Sequence, residues 1–354
     1  MINIAIFNIY TSGGGAERVS TILANEFSKE FIVHFCAFRD NGYYQLRSQI
    51  KKSIFEHKSV LKQVKQISRY LKENDIRIVI AMGYPVAIKM AIVKTFFRKK
   101  IFLISSERND PSRNVGSGLK RFLRKWAYLK SNKIVFQTTD AKNYFSKRIR
   151  TKGTVVLNPI SYDLENNKPL SLSNRPKRII AVGRIDPQKN FTMLVDAFNI
   201  FHKSHPDYVL DIYGNGEGEE RIKLLDLIRK YDLSDCLSLK GFTHNIFEEY
   251  NKSLIYVSSS NYEGISNSII EAMCSGLACV CTDCPCGGTR SLINNGKNGL
   301  LVTVGDSIAF ANALSILADD EQLMKNISKS ASELKKTLNP SVICKQWAVL
   351  FDEL

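Results

Sequence analysis

Short runs of β-branched and apolar residues alternate along the chain with longer amphipathic stretches. Several runs, such as IRIVIAM and RIIAVG, are apolar throughout, which is typical of parallel strands covered on both faces. The pattern predicts strands near 2–9, 31–38, 76–82, 101–106, 133–138 and 154–158, and again near 178–183, 208–213, 237–240, 253–258, 277–282 and 299–303. Alternation of strand and helix predicts βαβ units, and therefore an α/β fold with a doubly wound, Rossmann-like sheet in each half.

A polar segment separates the two series of strands. Residues 161–177 are rich in Asn, Ser, Pro and charge, and they are the best linker candidate. A chain of 354 residues also suits two domains better than one core. We therefore predict a first domain over 1–165 and a second over 166–338, facing each other across a cleft, and a final helix over 339–354. The apolar face of that helix would consist of Ile343, Trp347, Leu350 and Phe351.

Positive charge is concentrated in the first half of the chain. The net charge is +16, but residues 1–170 carry +19 and residues 171–354 carry −3. The first half is therefore expected to face something anionic, and nucleic acid, an acidic membrane surface and a phosphorylated substrate are the alternatives. Because no zinc-finger, RRM-like or helix-turn-helix pattern accompanies the charge, nucleic acid is not an expected partner.

Neither the apolar runs nor the cysteines predict a membrane span or a metal site. No apolar run reaches the ~18–20 residues of a transmembrane helix, and the first residues suit a strand better than a signal peptide. Four of the eight cysteines lie in CVCTDCPC, but no second pair of Cys or His follows at a zinc-site distance. Alternation there instead predicts a buried strand, and we expect a reducing, cytoplasmic location.

Two segments with glycine follow predicted strands. In YTSGGGAERV a strand ends near Tyr10 and a helix starts near Ala16, so the glycines can bring backbone N–H groups close to an anion. This segment is not the G-x-G-x-x-G of dinucleotide-binding enzymes. In VGRIDPQKN the strand leads to Gly183, Arg184 and Lys189, and two cations there can straddle a diphosphate. A tight turn and ordinary surface charge are the alternative explanations.

Residues 259–276, SSNYEGISNSIIEAMCSG, place two glutamates around a predicted helix start. Ser266 and Asn267 are good N-caps, and free N–H groups in that turn can bind a phosphate. Glu263 stands before the helix and Glu271 about one turn inside it, and each carboxylate can accept hydrogen bonds from vicinal hydroxyls. Two carboxylates on either side of a phosphate-binding helix end suit a nucleotide-sugar.

Taken together, these segments resemble the retaining glycosyltransferases of family four, which have GT-B architecture. The resemblance covers most of the chain and depends on GGGAERV, VGRIDPQKN, YGNGEGEE, EGISNSIIEAMCSG and TDCPCGGTRSLINNGKNGLLV, in the family's order. Glu263 and Glu271 match its Glu-x7-Glu motif, and SERNDP, residues 106–111, is similar to polysaccharide and O-antigen transferases. The resemblance also implies that the closing helix packs back on the first domain.

The resemblance implies a role for each candidate residue. Arg184, Lys189 and Glu263 would be catalytic, the two cations holding the donor diphosphate and the carboxylate contacting the transferred sugar. Glu271 would bind the ribose. The remaining donor-side candidates are Gly14, Gly15, Gly183, Gly214, Gly216, Asn245, Ile246, Gly264, Ile265, Ser266 and Asn267. On the acceptor side the candidates are Arg18, Arg108 and Asn109.

The chain contains no Asp-x-Asp segment that could hold a metal ion beside the donor. Two cations and a helix dipole can stabilise the leaving group in its place. We therefore expect no metal and no cofactor, with the nucleotide-sugar serving as a substrate.

Residues 117–133, SGLKRFLRKWAYLKSNK, predict an amphipathic helix in the basic half. Its apolar face would consist of Leu119, Phe122, Leu123 and Trp126, and its basic positions are Lys120, Arg121, Arg124 and Lys125. The helix either packs on its own sheet with solvated lysines or, together with FFRKK at 96–100, docks on anionic lipid. Docking would bring the protein to a lipid-pyrophosphate-linked glycan.

These observations predict a peripheral enzyme on the inner face of the cell membrane. It would be a retaining glycosyltransferase that moves a hexose or N-acetylhexosamine from a UDP-sugar to a lipid-linked saccharide of a surface polysaccharide or lipopolysaccharide. A nucleotide-sugar epimerase of the same fold and a non-catalytic basic binding protein are the alternatives. The sequence leaves open the sugar, the acceptor and linkage, the number of subunits and the identity of any general base.

Overall fold

The structure is a computed structural model, which describes residues 1–42, 44–97, 100–113, 116–161 and 172–351. Contacts between Cα atoms divide the chain into two compact units, Met1–Pro159 with Leu338–Leu354, and Ile160–Thr337. The predicted boundary at 165/166 and most of the predicted linker lie outside the described residues.

The first unit contains a parallel sheet of seven strands. The strands are β1 (Asn3–Tyr10), β2 (Ile32–Arg39), β3 (Lys51–Ile54), β4 (Ile78–Met82), β5 (Phe102–Ser106), β6 (Lys133–Phe136) and β7 (Gly153–Val155). The helices are α1 (Gly15–Phe27), α2 (Val60–Glu73), α3 (Tyr84–Ile92), α4 (Gly118–Lys130), α5 (Thr139–Asn143) and α6 (Lys147–Arg150), and a π-helical turn covers Val93–Phe97. The strand order is β3-β2-β1-β4-β5-β6-β7.

Strand β3 is the strand of the first unit that the sequence pattern missed. Its four residues, KKSI, pair with β2 at the edge of the sheet, and both lysines are exposed. A short edge strand with lysines is typical of natural sheets, because it discourages pairing with another chain. Because the strand is short and half of its residues are lysines, it lacks the apolar run from which a strand is predicted.

The second unit contains a parallel sheet of six strands. The strands are β8 (Arg178–Val182), β9 (Val209–Tyr213), β10 (Leu237–Gly241), β11 (Ile255–Ser258), β12 (Ala278–Thr282) and β13 (Leu300–Val302). The helices are α7 (Phe191–His202), α8 (Glu219–Lys230), α9 (Ile246–Asn251), α10 (Asn267–Cys274), α11 (Ser307–Asp319), α12 (Glu321–Ser332) and α13 (Leu334–Thr337), and a 3-10 turn at Leu172–Asn174 precedes them. The strand order is β10-β9-β8-β11-β12-β13, and each strand lies within about two residues of its predicted position at both ends.

The last helix, α14 (Pro340–Ala348), belongs to the first unit and packs against α1. The predicted apolar face is buried, with Trp347 1% exposed. A 3-10 turn follows at Val349–Phe351, and the Phe351 ring lies 5.4 Å from that of Phe27 in α1. Residues 352–354 of the predicted helix lie outside the described residues.

Candidate functional site

The predicted donor-side residues of the second unit gather at one edge of its sheet. The chain moves from β8 to β9 on one side and from β11 to β12 on the other, so the strand order reverses between β8 and β11. Ligands of doubly wound sheets bind beyond the carboxyl ends of the strands at such a reversal. The loop with Arg184 and Lys189 follows β8, and the loop with Glu263 follows β11.

Lys189 and Glu263, two of the three predicted catalytic residues, form an ion pair. Lys189 Nζ lies 2.5 Å from Glu263 Oε1, and their side chains are only 16% and 10% exposed. The hydroxyl of Ser260 donates to the same carboxylate oxygen at 3.1 Å. The Lys189 charge is therefore compensated within the protein, and an arriving anion would have to share this cation with Glu263.

Hydrogen bonds between the two loops hold this pair in place. The Asn261 N–H donates to Gln188 O at 2.8 Å, and Ser259 Oγ donates to Lys189 O at 2.7 Å. The Lys189 N–H in turn donates to Asp186 Oδ1 at 3.1 Å. Because these bonds join segments some 70 residues apart, the loops after β8 and β11 form one connected surface.

Arg184, the third predicted catalytic residue, lies in a different environment. Its side chain is 78% exposed, and its guanidinium pairs with Asp186 at 3.2 Å. An exposed ion pair of this kind contributes little stability, about 0–1 kcal/mol. Arg184 can therefore exchange its carboxylate partner for a ligand at low energetic cost. Separating Lys189 from Glu263 would cost more, because that pair is nearly buried.

The predicted glycines after β9 pack against the loop after β8. An ideal Cβ at Gly214 would lie 1.9 Å from the carbonyl oxygen of Gly183, and one at Gly216 would lie 2.4 Å from that of Ile185. The Gly183 N–H donates to Tyr213 O at 2.9 Å. The close approach of the two backbones therefore explains why glycine is required at these positions. The donor contact that the sequence suggested is a separate role.

The helix start after β11 is close to the prediction. Helix α10 begins at Asn267 with Ser266 as its N-cap, and Ser266 Oγ lies 2.9 Å from Ser268 Oγ. Ile265 and Ser266 are buried, and Glu271 is buried in the second turn. Gly288, which sequence reasoning left out of the site, packs on this turn, since an ideal Cβ there would lie 1.4 Å from the carbonyl oxygen of Gly264.

Asn245 and Ile246, the predicted neighbours of the nucleobase, lie at the start of α9. A charged cluster holds this helix on the sheet. The Glu249 carboxylate lies 2.7 Å from an Arg178 nitrogen and accepts from Tyr213 OH at 2.7 Å. Burial opposes ionisation of Glu249, but these two donors outweigh it and lower the pKa of Glu249.

The glycine run of the first unit lies against the carboxylate of Glu17. Burial raises the pKa of the Glu17 carboxyl, although the backbone of Glu17 and Tyr10 favours its ionised form. An ideal Cβ at Gly14 would lie 2.4 Å from Glu17 Oε2, so the absent side chain makes room for this carboxylate. Gly15 is the first residue of α1. A donor role for Gly14 and Gly15 stays a prediction.

Glu17 also attracts Arg108, one of the predicted acceptor-side residues. Arg108 donates to Asn158 Oδ1 at 2.8 Å, and burial lowers its pKa to about 10. The other two predicted residues, Arg18 and Asn109, are partly exposed. Sequence reasoning missed Glu17, although it lies inside the quoted segment GGGAERV.

The structure corrects the prediction for Arg124. The sequence pattern gives this residue as one of the basic positions of α4, but it is buried, and its guanidinium lies 3.4 Å from the Glu107 carboxylate. Tyr128 OH donates to the same carboxylate at 2.9 Å. Burial raises the pKa of Glu107. Arg124 therefore contributes to the interior of the first unit and not to its surface charge.

The proposed apolar face of α4 also differs from the prediction. Leu119 and Phe122 are exposed, whereas Leu123 and Trp126 are partly buried. Phe96 is exposed too, and residues 98 and 99 of FFRKK lie outside the described residues. Among the described helices, none has the length and apolar character that a membrane crossing requires.

The first part of the cysteine-rich segment is a buried strand, as predicted, and Cys284 and Cys286 follow it. Cys279 and Cys281 lie within β12 and are fully buried, and burial raises the pKa of both thiols. Within the described ranges, no three His, Cys, Asp or Glu side chains come together as a metal site would require.

Comparison with known sequences identifies the family of the second unit. The family described as "Glycosyl transferases group 1" matches residues 163–334. Residues 163–334 form a glycosyl transferases group 1 domain. The predicted resemblance to glycosyltransferases is thereby confirmed.

Relatives align along nearly the whole chain. The amylovoran biosynthesis glycosyltransferase AmsD of Erwinia amylovora is 27% identical over 347 residues, which cover 95% of each protein. A Campylobacter jejuni protein named N-acetylgalactosamine-N,N'-diacetylbacillosaminyl-diphospho-undecaprenol 4-alpha-N-acetylgalactosaminyltransferase is 28% identical over 366 residues, covering 98% of each. Both relatives are named as glycosyltransferases, and their alignments extend beyond the matched domain into the first unit.

A solved structure supports the same fold along the whole chain. The crystal structure of Anabaena HepE in complex with UDP-glucose has a TM-score of 0.87, with 20% identity and full coverage of both chains. This likeness confirms the predicted fold class, two Rossmann-like domains with parallel sheets, as in GT-B glycosyltransferases.

Proposed function

We propose that this glycosyltransferase retains configuration and uses a UDP-sugar to extend a lipid-linked saccharide of a bacterial surface glycan. The transferred sugar is a hexose or an N-acetylhexosamine. The observation that carries the proposal is the meeting of the cation loop after β8 with the glutamate loop after β11, through the Lys189–Glu263 pair. The names of the relatives support the choice of substrates, since one acts on a diphospho-undecaprenol saccharide and one was solved with UDP-glucose.

In this proposal the donor diphosphate lies between Arg184, Lys189 and the start of α10. The bond between the anomeric carbon and the phosphate oxygen breaks, and a bond to the acceptor hydroxyl forms on the same face of the sugar. The departing phosphate oxygen takes the acceptor proton, so no side chain is required as a base. The two cations and the N–H groups of α10 stabilise the negative charge that develops on the leaving group.

The two glutamates bind hydroxyl groups on either side of the diphosphate. Glu263 contacts the transferred sugar, and its pairing with Lys189 holds the carboxylate in position. Glu271 contacts the ribose, and the backbone of Asn245 and Ile246 lies beside the base. Because fixed protein charges stabilise the leaving group, we propose that the reaction requires no metal ion and no cofactor.

The experiment that tests the site compares two arginines in matched environments. Arg184 pairs with Asp186 at 3.2 Å, and Arg229 pairs with Asp226 at the same distance on the exposed surface of α8. Transfer from a panel of UDP-sugars is measured for both alanine variants. Arg184→Ala should lower kcat by about 10²–10³-fold, the loss expected for one preorganised donor to the transition state.

Arg229→Ala should transfer at the wild-type rate. Equal kcat values for the two variants would remove Arg184 from the mechanism. A product isomerised at the sugar in the absence of acceptor would instead indicate an epimerase.

We further propose that α4 brings the enzyme to an anionic membrane surface. Phe122 is 65% exposed beside Lys120 and Arg121, and each cation near anionic lipid contributes about 1 kcal/mol. Phe122→Ser should reduce co-sedimentation with vesicles that contain phosphatidylglycerol. The matched change Ile222→Ser, at an exposed apolar residue of the second unit, should have no effect. Equal binding by the two variants would contradict this role for α4.

A further inference from the structure

Arg175 is a buried arginine near the N-terminal end of the second unit. Arg175 is 6% exposed, and its guanidinium donates to carbonyl oxygens at the C-terminal ends of two different helices. At the end of α9 the acceptors are Tyr250 O, inside the last turn, at 3.5 Å and Ser253 O, two residues after the helix, at 3.0 Å. After α10 they are Ser275 O at 3.0 Å and Gly276 O at 3.5 Å. One side chain therefore joins the C-terminal ends of α9 and α10.

The chemistry of these contacts suits a cation. The last carbonyl groups of a helix have no partner within the helix, and the negative end of its dipole lies there. A planar guanidinium has five N–H donors spread over three nitrogens and can serve both helix ends at once, whereas an ammonium group has three donors on a single nitrogen. Burial lowers the pKa of Arg175 to about 10, so the group stays charged at neutral pH.

Arg175 lies at the opposite edge of the sheet from the donor site. It precedes the first residue of β8 by three positions. Two hydrogen bonds link the starts of the neighbouring strands β8, β11 and β12. The Leu254 N–H donates to Arg178 O at 2.9 Å, and the Ala278 N–H donates to Leu254 O at 3.2 Å. A strand of five residues spans about 16 Å. Arg175 is therefore too far from the carboxyl edge to contact the donor, and its effect on the donor must pass through the helices.

Both helices extend from Arg175 towards the proposed donor site. Helix α9 has six residues and is about 9 Å long, and α10 has eight and is about 12 Å long. The start of α9 carries Asn245 and Ile246, and the start of α10 follows Ser266. A short helix behaves as a rigid body, so a shift at one end also moves the other.

Helix α9 depends strongly on these polar contacts. Of its six residues, all described, Tyr250 is the one that is fully buried. Tyr250 therefore provides most of the apolar anchoring of this helix, and the bonds from Arg175 at its end and from Arg178 to Glu249 add polar contacts that fix its position.

We propose that Arg175 is a positioning residue that sets the spacing between α9 and α10, and with it the spacing between the subsites for the base and the diphosphate. The inference rests on the proposed function, because that function assigns the two ends of the donor to these two helices. A ligand that spans both helices requires the correct spacing. A ligand that contacts one helix does not.

The test compares three probes on the full chain: UDP, uridine and inorganic pyrophosphate. In Arg175→Lys the charge stays, but one nitrogen on a flexible stem replaces the two nitrogens that reach the helix ends. We expect the Kd of UDP to rise about tenfold, because UDP cannot keep its contacts with both helices when their spacing changes. The Kd values of uridine and pyrophosphate should change less than twofold. Ligand-observed NMR titration measures all three.

The matched control is Lys177→Met. Lys177 lies two residues away, is exposed and pairs with Asp207, so its removal takes one cation from the same segment without touching α9 or α10. If Arg175→Lys binds all three probes as the wild type does, or loses all three equally, the positioning role is wrong. If the wild-type protein itself does not bind UDP, the proposed function fails first and the inference falls with it. The lysine variant is chosen because it keeps the buried charge and is therefore the substitution that folding tolerates best.

Discussion

The ion pair between Lys189 and Glu263 offers the sharpest test of the site, because both side chains are nearly buried. In Lys189→Met the apolar stem that packs on Gly183 is kept, and the ammonium group alone is lost. The Glu263 carboxylate would keep the Ser260 hydroxyl as a hydrogen-bond donor but would lose its counter-ion. Removing one partner of a buried pair costs about 3–5 kcal/mol, and partial access of water places this pair near 3 kcal/mol.

The double variant makes the prediction specific. Lys189→Met combined with Glu263→Gln leaves no uncompensated charge and retains an acceptor for Ser260, so its cost should be about 1 kcal/mol or less. The coupling energy between the two positions is then about 2–3 kcal/mol, the upper range for residues in direct contact.

Urea unfolding followed by far-UV circular dichroism measures these free energies. Both tryptophans, Trp126 and Trp347, lie in the first unit, so fluorescence would miss the second. The control is Lys223→Met, which breaks an exposed pair with Glu220 and should cost less than about 1 kcal/mol. A cost for Lys189→Met no larger than that of the control, or a double variant equal to the sum of the single ones, would refute the reasoning.

Three further outcomes follow from other residues. His34 is fully buried with Nδ1 2.8 Å from Tyr70 OH, and burial lowers its pKa from 6.5 to about 4. Because the unfolded chain takes up that proton first, stability is complete above pH 6.5 and falls by up to about 3 kcal/mol as the pH drops towards 4. His34→Gln should flatten this part of the urea-unfolding profile, and parallel profiles would contradict the assignment. Arg124→Met should destabilise the first unit by about 3–5 kcal/mol, because it leaves Glu107 buried without its cation, while Lys125→Met on the exposed side of α4 should stay within about 0.5 kcal/mol. A thermal melt that ranks the two variants equally would count against the buried pair. Transfer should also continue at full rate in excess chelator, and activity that returns only on addition of a divalent ion would overturn the proposed metal independence.

The sequence determined the order and nature of the secondary structure almost completely. Twelve predicted strands appear within a few residues of their predicted positions, since an apolar run covered on both faces is a property of a few adjacent residues. The edge strand Lys51–Ile54 escaped because two lysines replace that run. The segments with glycine, cations and glutamates could also be assigned to the carboxyl ends of strands, because strand and loop alternate regularly along the chain.

Only the tertiary structure decided which of these side chains meet. The contact between Lys189 and Glu263 joins positions 74 residues apart, and it exists because β11 lies beside β8 in the sheet. Arg124 could be assigned to the polar side of an isolated helix, but Glu107 at the end of β5 draws it into the interior. Arg175 belonged to a segment that suited a linker, yet it joins the ends of two helices. Local periodicity carries no information on strand order, and strand order determines which distant charges lie within reach of each other.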